Sequence, residues 1–162
     1  LVQHEPGCLT QMIDAAREIE RANIIAVEQV PQERIHMYGV VGVGARNGAL
    51  FPVTGMVEKP SRETAPSNLI ITGRYILQPE IFDMLAAEKR GAGGEIQLTD
   101  AMIELAKTQP FYGLEFAGRS FDCGSKVGFL AANVAYALDR PDIAPAMREE
   151  LERLLGGDDG TS

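Results

Sequence analysis

Strand-like and helix-like segments alternate along almost the whole chain, and this alternation constrains the fold more than any other feature. Apolar side chains recur at helical spacing over residues 8–21, and a short apolar run at 23–28 is typical of a buried strand. Further strands are predicted at 38–43, 53–58 and 68–77. A chain of this kind folds as a sheet covered by helices, so we predict an α/β domain.

The second half of the chain continues the alternation. Pro79 suits the first turn of a helix, and Thr99 is predicted to cap a helix that runs through Leu105. The other predicted elements are an edge strand, a short strand and two helices, at 113–117, 121–122, 127–138 and from Pro145 onward. We expect the tail at 156–162 to be disordered, which leaves 1–155 within a single domain.

Charge and hydropathy exclude several classes of partner. The chain has 162 residues and a net charge of −8, and its Lys and Arg residues form no run longer than a dipeptide. Nucleic acid and anionic membrane surfaces both require a basic patch, so neither is expected as a partner. The sequence also lacks an apolar run of roughly 18 residues, which a membrane-spanning helix needs.

The cysteine content indicates a reducing compartment. The two cysteines, Cys8 and Cys123, lie far apart in the sequence and do not suggest a disulfide framework. His4 lies close to Cys8, but no second Cys/His pair completes a zinc site. The first residues lack the basic and apolar regions of a signal peptide, so we expect a cytoplasmic protein. The missing initiator Met suggests that the chain begins within a longer protein.

The most suggestive local pattern is the strand end Val57-Glu58-Lys59-Pro60, where a proline stops strand pairing next to a carboxylate and an ammonium group. At a strand end both side chains can face a cleft. Lys59 would then neutralise a phosphate, and Glu58 would accept hydrogen bonds from sugar hydroxyls. A solvated strand terminus is the alternative, and for these four residues alone it is favoured.

Three other positions allow a structural and a functional interpretation. Asp122 precedes a predicted helix, so its carboxylate either binds Mg²⁺ or forms a cap or turn, and on this residue alone the cap or turn is favoured. Gly39 opens a predicted strand, where glycine permits close approach of a ligand but also suits a plain turn. Cys123 has no evident His or Lys partner and is interpreted as a small buried residue.

Two glycine-rich segments need separate interpretations. Residues 93–100 join a flexible loop to a helix, and they either fold over a sugar site or form an ordinary loop with a capped helix. Residues 42–48 look like a dinucleotide-binding loop, but their spacing is GxGxxxG and the residues that follow are not helical. Because a pyrophosphate site of that type needs a helix N-terminus, we reject it.

Taken in order, five of these segments resemble a known family. They are Tyr38-Gly39-Val40-Val41, Val57-Glu58-Lys59-Pro60, Ala65-Pro66-Ser67-Asn68-Leu69 with Gly73-Arg74-Tyr75, the run GGEIQLTD at 93–100, and Phe121-Asp122-Cys123-Gly124-Ser125-Lys126. Each is weak alone. Their order and spacing over about residues 8–142 closely resemble the bacterial UTP–glucose-1-phosphate uridylyltransferases. The combination of GGEIQLTD with FDCG points to this branch of the sugar nucleotidyltransferases rather than to the thymidylyltransferases.

The resemblance implies a fold, a reaction and partners. The implied fold is a Rossmann-like α/β/α nucleotidyltransferase domain with a mixed sheet, of which 1–155 is the C-terminal part. The implied reaction joins UTP and glucose 1-phosphate into UDP-glucose and releases pyrophosphate, with Mg²⁺ as cofactor. The family also implies a homo-oligomer.

The resemblance further implies roles for individual residues. Lys59 is implied to be catalytic through contact with the phosphate of the sugar phosphate, and Glu58 is implied to bind sugar hydroxyls. Asp122 is implied to hold Mg²⁺. The residues implied to contact substrate are Gly39, Glu58, Lys59, Gly73 and Glu95.

One departure from the family is large. The family's N-terminal Gly-rich loop, which cradles the triphosphate, and its acidic metal-binding segment are both missing from these 162 residues. The fold is therefore expected to be incomplete at its N-terminus, and the isolated chain is expected to be inactive. The alternatives are a catalytically inactive sugar-nucleotide-binding or regulatory module, and a nucleotidyltransferase that uses another nucleoside triphosphate or sugar 1-phosphate.

Overall fold

The computed structural model describes residues 1–46, 48–87 and 97–156, and the chain divides into two compact units. The larger unit comprises Pro6–Ala117 and contains the five-stranded sheet. The smaller unit comprises Leu1–Glu5 together with the chain from Gly118 onward. Within the described ranges, no helix is long and apolar enough to cross a bilayer.

Strands and helices follow one another much as the hydrophobic pattern predicts. In chain order the elements are β1 (Val2–Gln3), α1 (Cys8–Arg17), β2 (Asn23–Gln29), a 3-10 helix (Gln32–Met37), β3 (Gly39–Val43), β4 (Leu50–Glu58), β5 (Leu69–Ile76), α2 (Ile81–Ala87), α3 (Leu98–Leu105), β6 (Phe111–Glu115), β7 (Arg119–Ser120), α4 (Lys126–Leu138) and α5 (Ala144–Gly156). This succession confirms the predicted α/β class.

The sheet of the larger unit is mixed, and its strand pairing is closed. Strand β2 runs parallel to β6 and antiparallel to β5, and β5 continues antiparallel to β3. The long strand β4 pairs with β6 through Leu50–Pro52 and with β3 through Val53–Glu58. Each of the five strands therefore has two neighbours, and no member of the set is an edge strand.

The core of the larger unit forms around β2. This strand is buried at five consecutive residues from Asn23 to Val27, which requires cover on both of its faces. Helices α2 and α3 contribute Ile81, Ala101, Met102 and Leu105 to the main apolar cluster, which also includes Ile25 and Phe51. The buried amide of Asn23 is satisfied, because it donates to Gln109 Oε1 at 3.0 Å and accepts from the Gln78 amide at 2.8 Å.

Several sequence predictions were wrong in detail. The predicted edge strand at 113–117 is β6, which begins at Phe111 and has a neighbour on both sides because the first residues of β4 pair with it. The short strand predicted at 121–122 lies two residues earlier, at Arg119–Ser120. Thr99 does not cap α3, because the N-cap is Gln97. Helix α1 ends at Arg17 rather than at 21.

The ends of the chain also bear on the predictions. Gly156 is the last residue of α5 and so does not belong to a disordered tail, and 157–162 lie outside the described residues.

In the smaller unit, β1 and β7 form a two-stranded antiparallel sheet. Tyr136 of α4 donates a hydrogen bond to the Val2 carbonyl at 2.6 Å, and its ring packs 6.4 Å from that of Phe121.

Both cysteine thiols are free in the structure. Cys8 is 7% exposed, and this burial raises the pKa of its thiol, although the positive charge of Arg74 acts in the opposite direction. A buried thiol with a raised pKa is a poor nucleophile, so Cys8 serves as a small apolar residue of α1.

A glycine on β6 provides a direct test of how tightly the core is packed. A Cβ atom at Gly113 would lie 2.5 Å from Cζ of the buried Phe51, whereas a Cβ at Gly55 of β4 would meet nothing within 4 Å. We expect Gly113→Ala to lower the free energy of unfolding by about 1–3 kcal/mol, as overpacking of a core does. Gly55→Ala is the matched control and is expected to be close to neutral.

Urea denaturation of the two variants measures the difference. Equal stability of Gly113→Ala and Gly55→Ala would contradict the close packing of β6 against Phe51.

Candidate functional site

The candidate site of the larger unit is built on the pairing of β3 with β4. In this antiparallel register Gly39 lies directly opposite Glu58, so the start of β3 and the end of β4 coincide. The backbone amide of Lys59 donates to the Tyr38 carbonyl at 3.1 Å, which extends the ladder by one bond beyond the strands. The resemblance implies that Gly39, Glu58 and Lys59 all contact the substrate, and the register brings the backbones of these three residues together.

The carboxylate of Glu58 lies over Gly39. A Cβ atom at Gly39 would come within 2.9 Å of Glu58 Oε2 and within 3.1 Å of Ile71 Cδ1, so only glycine leaves this space open. From the other side, the Thr99 hydroxyl in the first turn of α3 donates to the same Oε2 atom at 3.2 Å. Residues from β3, β4 and α3 thus converge on one oxygen atom.

The half-buried phenol of Tyr75 lies in the electrostatic field of Glu58. Burial raises the pKa of the Tyr75 hydroxyl, and the negative charge of Glu58 raises it further, while Arg74 acts in the opposite direction. Tyr75 packs against the main apolar cluster and follows Gly73 on β5. A phenol and a carboxylate together offer a hydrogen-bond donor and acceptors, which suits recognition of hydroxyl groups.

Lys59 has an unusual backbone. Its φ angle of 44° lies in the left-handed region, which lysine seldom adopts, and the next residue is the buried Pro60. Strained residues of this kind concentrate at functional sites, where the surrounding structure holds them. The side chain of Lys59 is exposed, so its ammonium group is available to an anion. Neither the strand pattern nor the proline predicts this backbone conformation.

Gly73 lies at an irregularity in β5. Ile71 pairs with Val27 and Tyr75 with Ile25, so three residues of β5 face only Ala26 on β2. β5 therefore carries two extra residues here, and the central one, Gly73, has a φ of 74°, which glycine adopts without strain. It is exposed, and a Cβ there would meet nothing within 4 Å. The structure therefore gives Gly73 a backbone role and leaves space beside it.

Asp122 lies in the smaller unit, in a turn before α4. Its Oδ1 accepts a hydrogen bond from the Gly124 amide at 3.0 Å, and its carbonyl accepts one from the Ser125 hydroxyl at 3.1 Å. Ser125 is the N-cap of α4, because its Oγ accepts from the Gly128 amide at 3.0 Å. Of the two structural roles left open for Asp122, the turn is confirmed, and the helix cap belongs to Ser125.

The exposed carboxylate of Asp122 suits Mg²⁺ as a single ligand. Among the described residues, no group of three or more His, Cys, Asp or Glu side chains is placed to hold a metal. Mg²⁺ is commonly bound by one or two carboxylates, with substrate phosphates and water completing its octahedron. The chemistry of Asp122 therefore fits one position in such a shell.

The remaining predictions concern two glycine-rich segments. Glu95 and its neighbours at 93–96 lie outside the described residues. The segment at 42–48 starts in β3 and leads to β4 at Leu50–Glu58, so the rejection of a dinucleotide-binding loop is confirmed. Thr99 is the residue that sequence reasoning misjudged, because its contact with Glu58 joins residues 41 positions apart.

The effect of the Glu58 charge on the pKa of Tyr75 can be tested by substitution. In Glu58→Gln the side chain keeps its size but loses its charge, so the pKa of Tyr75 is expected to fall towards that of an ordinary tyrosine. NMR titration of ring-labelled tyrosines measures this, and Tyr75→Phe assigns the signal among the four tyrosines. Glu104→Gln, on the exposed side of α3, is the matched control. An unchanged Tyr75 titration in Glu58→Gln would show that the two groups lie farther apart.

Comparison with known proteins identifies the family of this chain. Residues 2–138 match the nucleotidyl transferase family. The UTP–glucose-1-phosphate uridylyltransferase of Staphylococcus epidermidis strain RP62A is 39% identical over 154 residues, which are 95% of this chain and 53% of that protein. A UDP-glucose pyrophosphorylase crystallised with UDP-glucose superimposes with a TM-score of 0.77 at 38% identity, covering 86% of this chain and 53% of the other.

A second solved structure strengthens the fold assignment. The UDP-glucose pyrophosphorylase of Acinetobacter baumannii superimposes with a TM-score of 0.82 at 35% identity, covering 95% of this chain and 53% of the other. The chain thus spans about half the length of the relatives that it matches. The expected mixed-sheet nucleotidyltransferase fold is confirmed. On the match over residues 2–138, the chain belongs to the nucleotidyl transferase family.

Proposed function

We propose that the intact protein containing this chain transfers a uridylyl group from UTP to glucose 1-phosphate, giving UDP-glucose and pyrophosphate. The observation that carries the proposal is the group at the end of β4, where Glu58 lies over Gly39 and an exposed Lys59 follows. Relatives about 40% identical that carry the name UTP–glucose-1-phosphate uridylyltransferase support the choice of substrates.

Glu58 is proposed to bind the sugar. Its carboxylate oxygens accept hydrogen bonds from vicinal hydroxyls, and the neutral Tyr75 phenol offers a donor nearby. Gly39 leaves the space beside Glu58 Oε2 open, so a sugar ring can approach the backbone of β3. Gly73 and Glu95 are proposed as further substrate contacts.

Lys59 is proposed to bind the phosphate of glucose 1-phosphate. An oxygen of that phosphate attacks the α-phosphorus of UTP, forming a new P–O bond. The bond from the α-phosphorus to the bridging oxygen breaks, and pyrophosphate leaves with its electron pair. No covalent enzyme intermediate is needed, so the ammonium group acts by holding the attacking phosphate and offsetting its charge.

Asp122 is proposed to supply one carboxylate ligand to Mg²⁺. When bound, the ion neutralises charge on the nucleotide phosphates. Asp122 itself is held by the turn that precedes α4, which fixes the direction of its carboxylate. The protein is further proposed to be a cytoplasmic homo-oligomer, and residues 1–155 to form the C-terminal part of the nucleotidyltransferase domain.

A coupled assay of pyrophosphate release tests the proposal. The intact protein is supplied with UTP, glucose 1-phosphate and Mg²⁺, and Lys59→Met is compared with Lys107→Met, an exposed lysine that pairs with Glu104. We expect kcat/KM to fall by about 100-fold or more in Lys59→Met, because a preorganised charge is removed, and to stay unchanged in Lys107→Met. Equal activity of both variants would contradict the role of Lys59.

The same assay with other substrates separates the alternatives. Release with another nucleoside triphosphate or sugar 1-phosphate, but not with UTP and glucose 1-phosphate, would retain the reaction class and change its specificity. The absence of pyrophosphate release with every pair of substrates would favour a sugar-nucleotide-binding module without catalysis.

A further inference from the structure

The oxygen atom Oε2 of Glu58 lies close to two residues that are distant from it in sequence. It occupies the space beside the bare Cα of Gly39, where a Cβ would stand only 2.9 Å away. It also accepts the hydrogen bond of the Thr99 hydroxyl at 3.2 Å. Glu58 itself is exposed at the end of a strand, where a glutamate side chain otherwise samples several rotamers.

The position of Thr99 is fixed by the core. It lies in the first turn of α3, between the partly buried Leu98 and the fully buried Ala101 and Met102, all three of which belong to or pack against the main apolar cluster. The backbone of this turn therefore cannot move without disturbing that cluster. A hydroxyl attached to it is a rigid donor for a flexible carboxylate.

The Thr99 hydroxyl does not cap the N-terminus of α3. The N-cap of α3 is Gln97, and no side-chain cap hydrogen bond is made there. A threonine second in a helix has modest helix propensity, so an alanine or glutamate would serve the helix better. The contact with Glu58 gives this threonine a role that helix formation does not.

We propose that Thr99 is a positioning residue for Glu58, and that its hydroxyl orients the Glu58 carboxylate for binding of the sugar hydroxyls. The inference rests on the proposed function for its consequence, since it deepens the role of the sugar-binding carboxylate. Loss of the Thr99 hydroxyl is therefore expected to weaken binding of glucose 1-phosphate and to leave binding of UTP unchanged.

Kinetics of the intact protein provide the first readout. Thr99→Val keeps the shape of the side chain and removes the hydroxyl, whereas Thr99→Ser keeps the hydroxyl. Thr108→Val is the control, because its hydroxyl donates to the Leu105 carbonyl at the end of the same helix. We expect Thr99→Val to raise KM for glucose 1-phosphate by about tenfold, as loss of a hydrogen bond to a charged group does, with KM for UTP unchanged. Thr99→Ser and Thr108→Val are expected to resemble the wild type.

Titration of Tyr75 provides a second readout that needs no activity. The carboxylate of Glu58 acts on the Tyr75 phenol, so a Glu58 side chain that turns away from its place changes the titration. We expect the pKa of Tyr75 to fall in Thr99→Val, in the direction given by Glu58→Gln, and to stay at the wild-type value in Thr99→Ser.

The two readouts separate failure of this inference from failure of the proposed function. An unchanged Tyr75 titration in Thr99→Val would overturn the positioning role, and so would equal rises of both KM values or equal effects of Val and Ser. A wild-type protein inactive with UTP and glucose 1-phosphate would refute the proposed function, while the Tyr75 titration would still decide whether Thr99 holds Glu58.

Discussion

The register of β3 against β4 is the constraint on which the candidate site depends. It places Gly39 opposite Glu58, and it brings the Lys59 amide to the Tyr38 carbonyl. Side chains alternate between the two faces of a strand, so a slip of one residue would turn Glu58 to the opposite face and move it away from Gly39. Met56 of β4 is buried while its neighbours Gly55 and Val57 are exposed, so such a slip is disfavoured because it would expose Met56.

The same register explains how a chain with a net charge of −8 can offer a place for an anion. A bulk negative charge acts weakly through water, whereas one ammonium group at contact distance acts strongly. Lys59 is held in a left-handed conformation between a paired strand end and the buried Pro60, so its backbone is fixed while its side chain faces solvent. The neighbouring carboxylate of Glu58 accepts a hydrogen bond from the Thr99 hydroxyl.

Much of the larger unit follows from short-range patterns. The apolar runs predicted at 23–28, 38–43 and 68–77 correspond to β2, β3 and β5 within one residue at each end, because runs of β-branched residues between turn residues specify strands locally. Glu58 and Lys59 are correctly identified as a strand end by the proline that follows them. The closed pairing was not predicted, because Pro52 within Leu50–Pro52 suggests a loop rather than three paired residues of β4.

The finer features of the site depend on contacts that no local pattern encodes. Threonine is a common N-cap residue, but the Thr99 hydroxyl bonds to Glu58 at the end of β4. Only the packing of α3 against the sheet brings these two residues together. Asp122 was expected at the end of a strand, but it lies in a turn stabilised by Gly124 and Ser125. The left-handed conformation of Lys59, between the ladder bond of its own amide and the buried Pro60, is likewise not encoded by the strand pattern or by the proline.

A crystal structure of the intact protein with UDP-glucose tests the central claim most directly. The claim predicts that the glucose ring lies at the start of β3, with its hydroxyls on the Glu58 carboxylate and the phosphate next to the sugar within reach of Lys59. Glucose bound elsewhere, with Glu58 still on Thr99 and Gly39 facing only solvent, would contradict it.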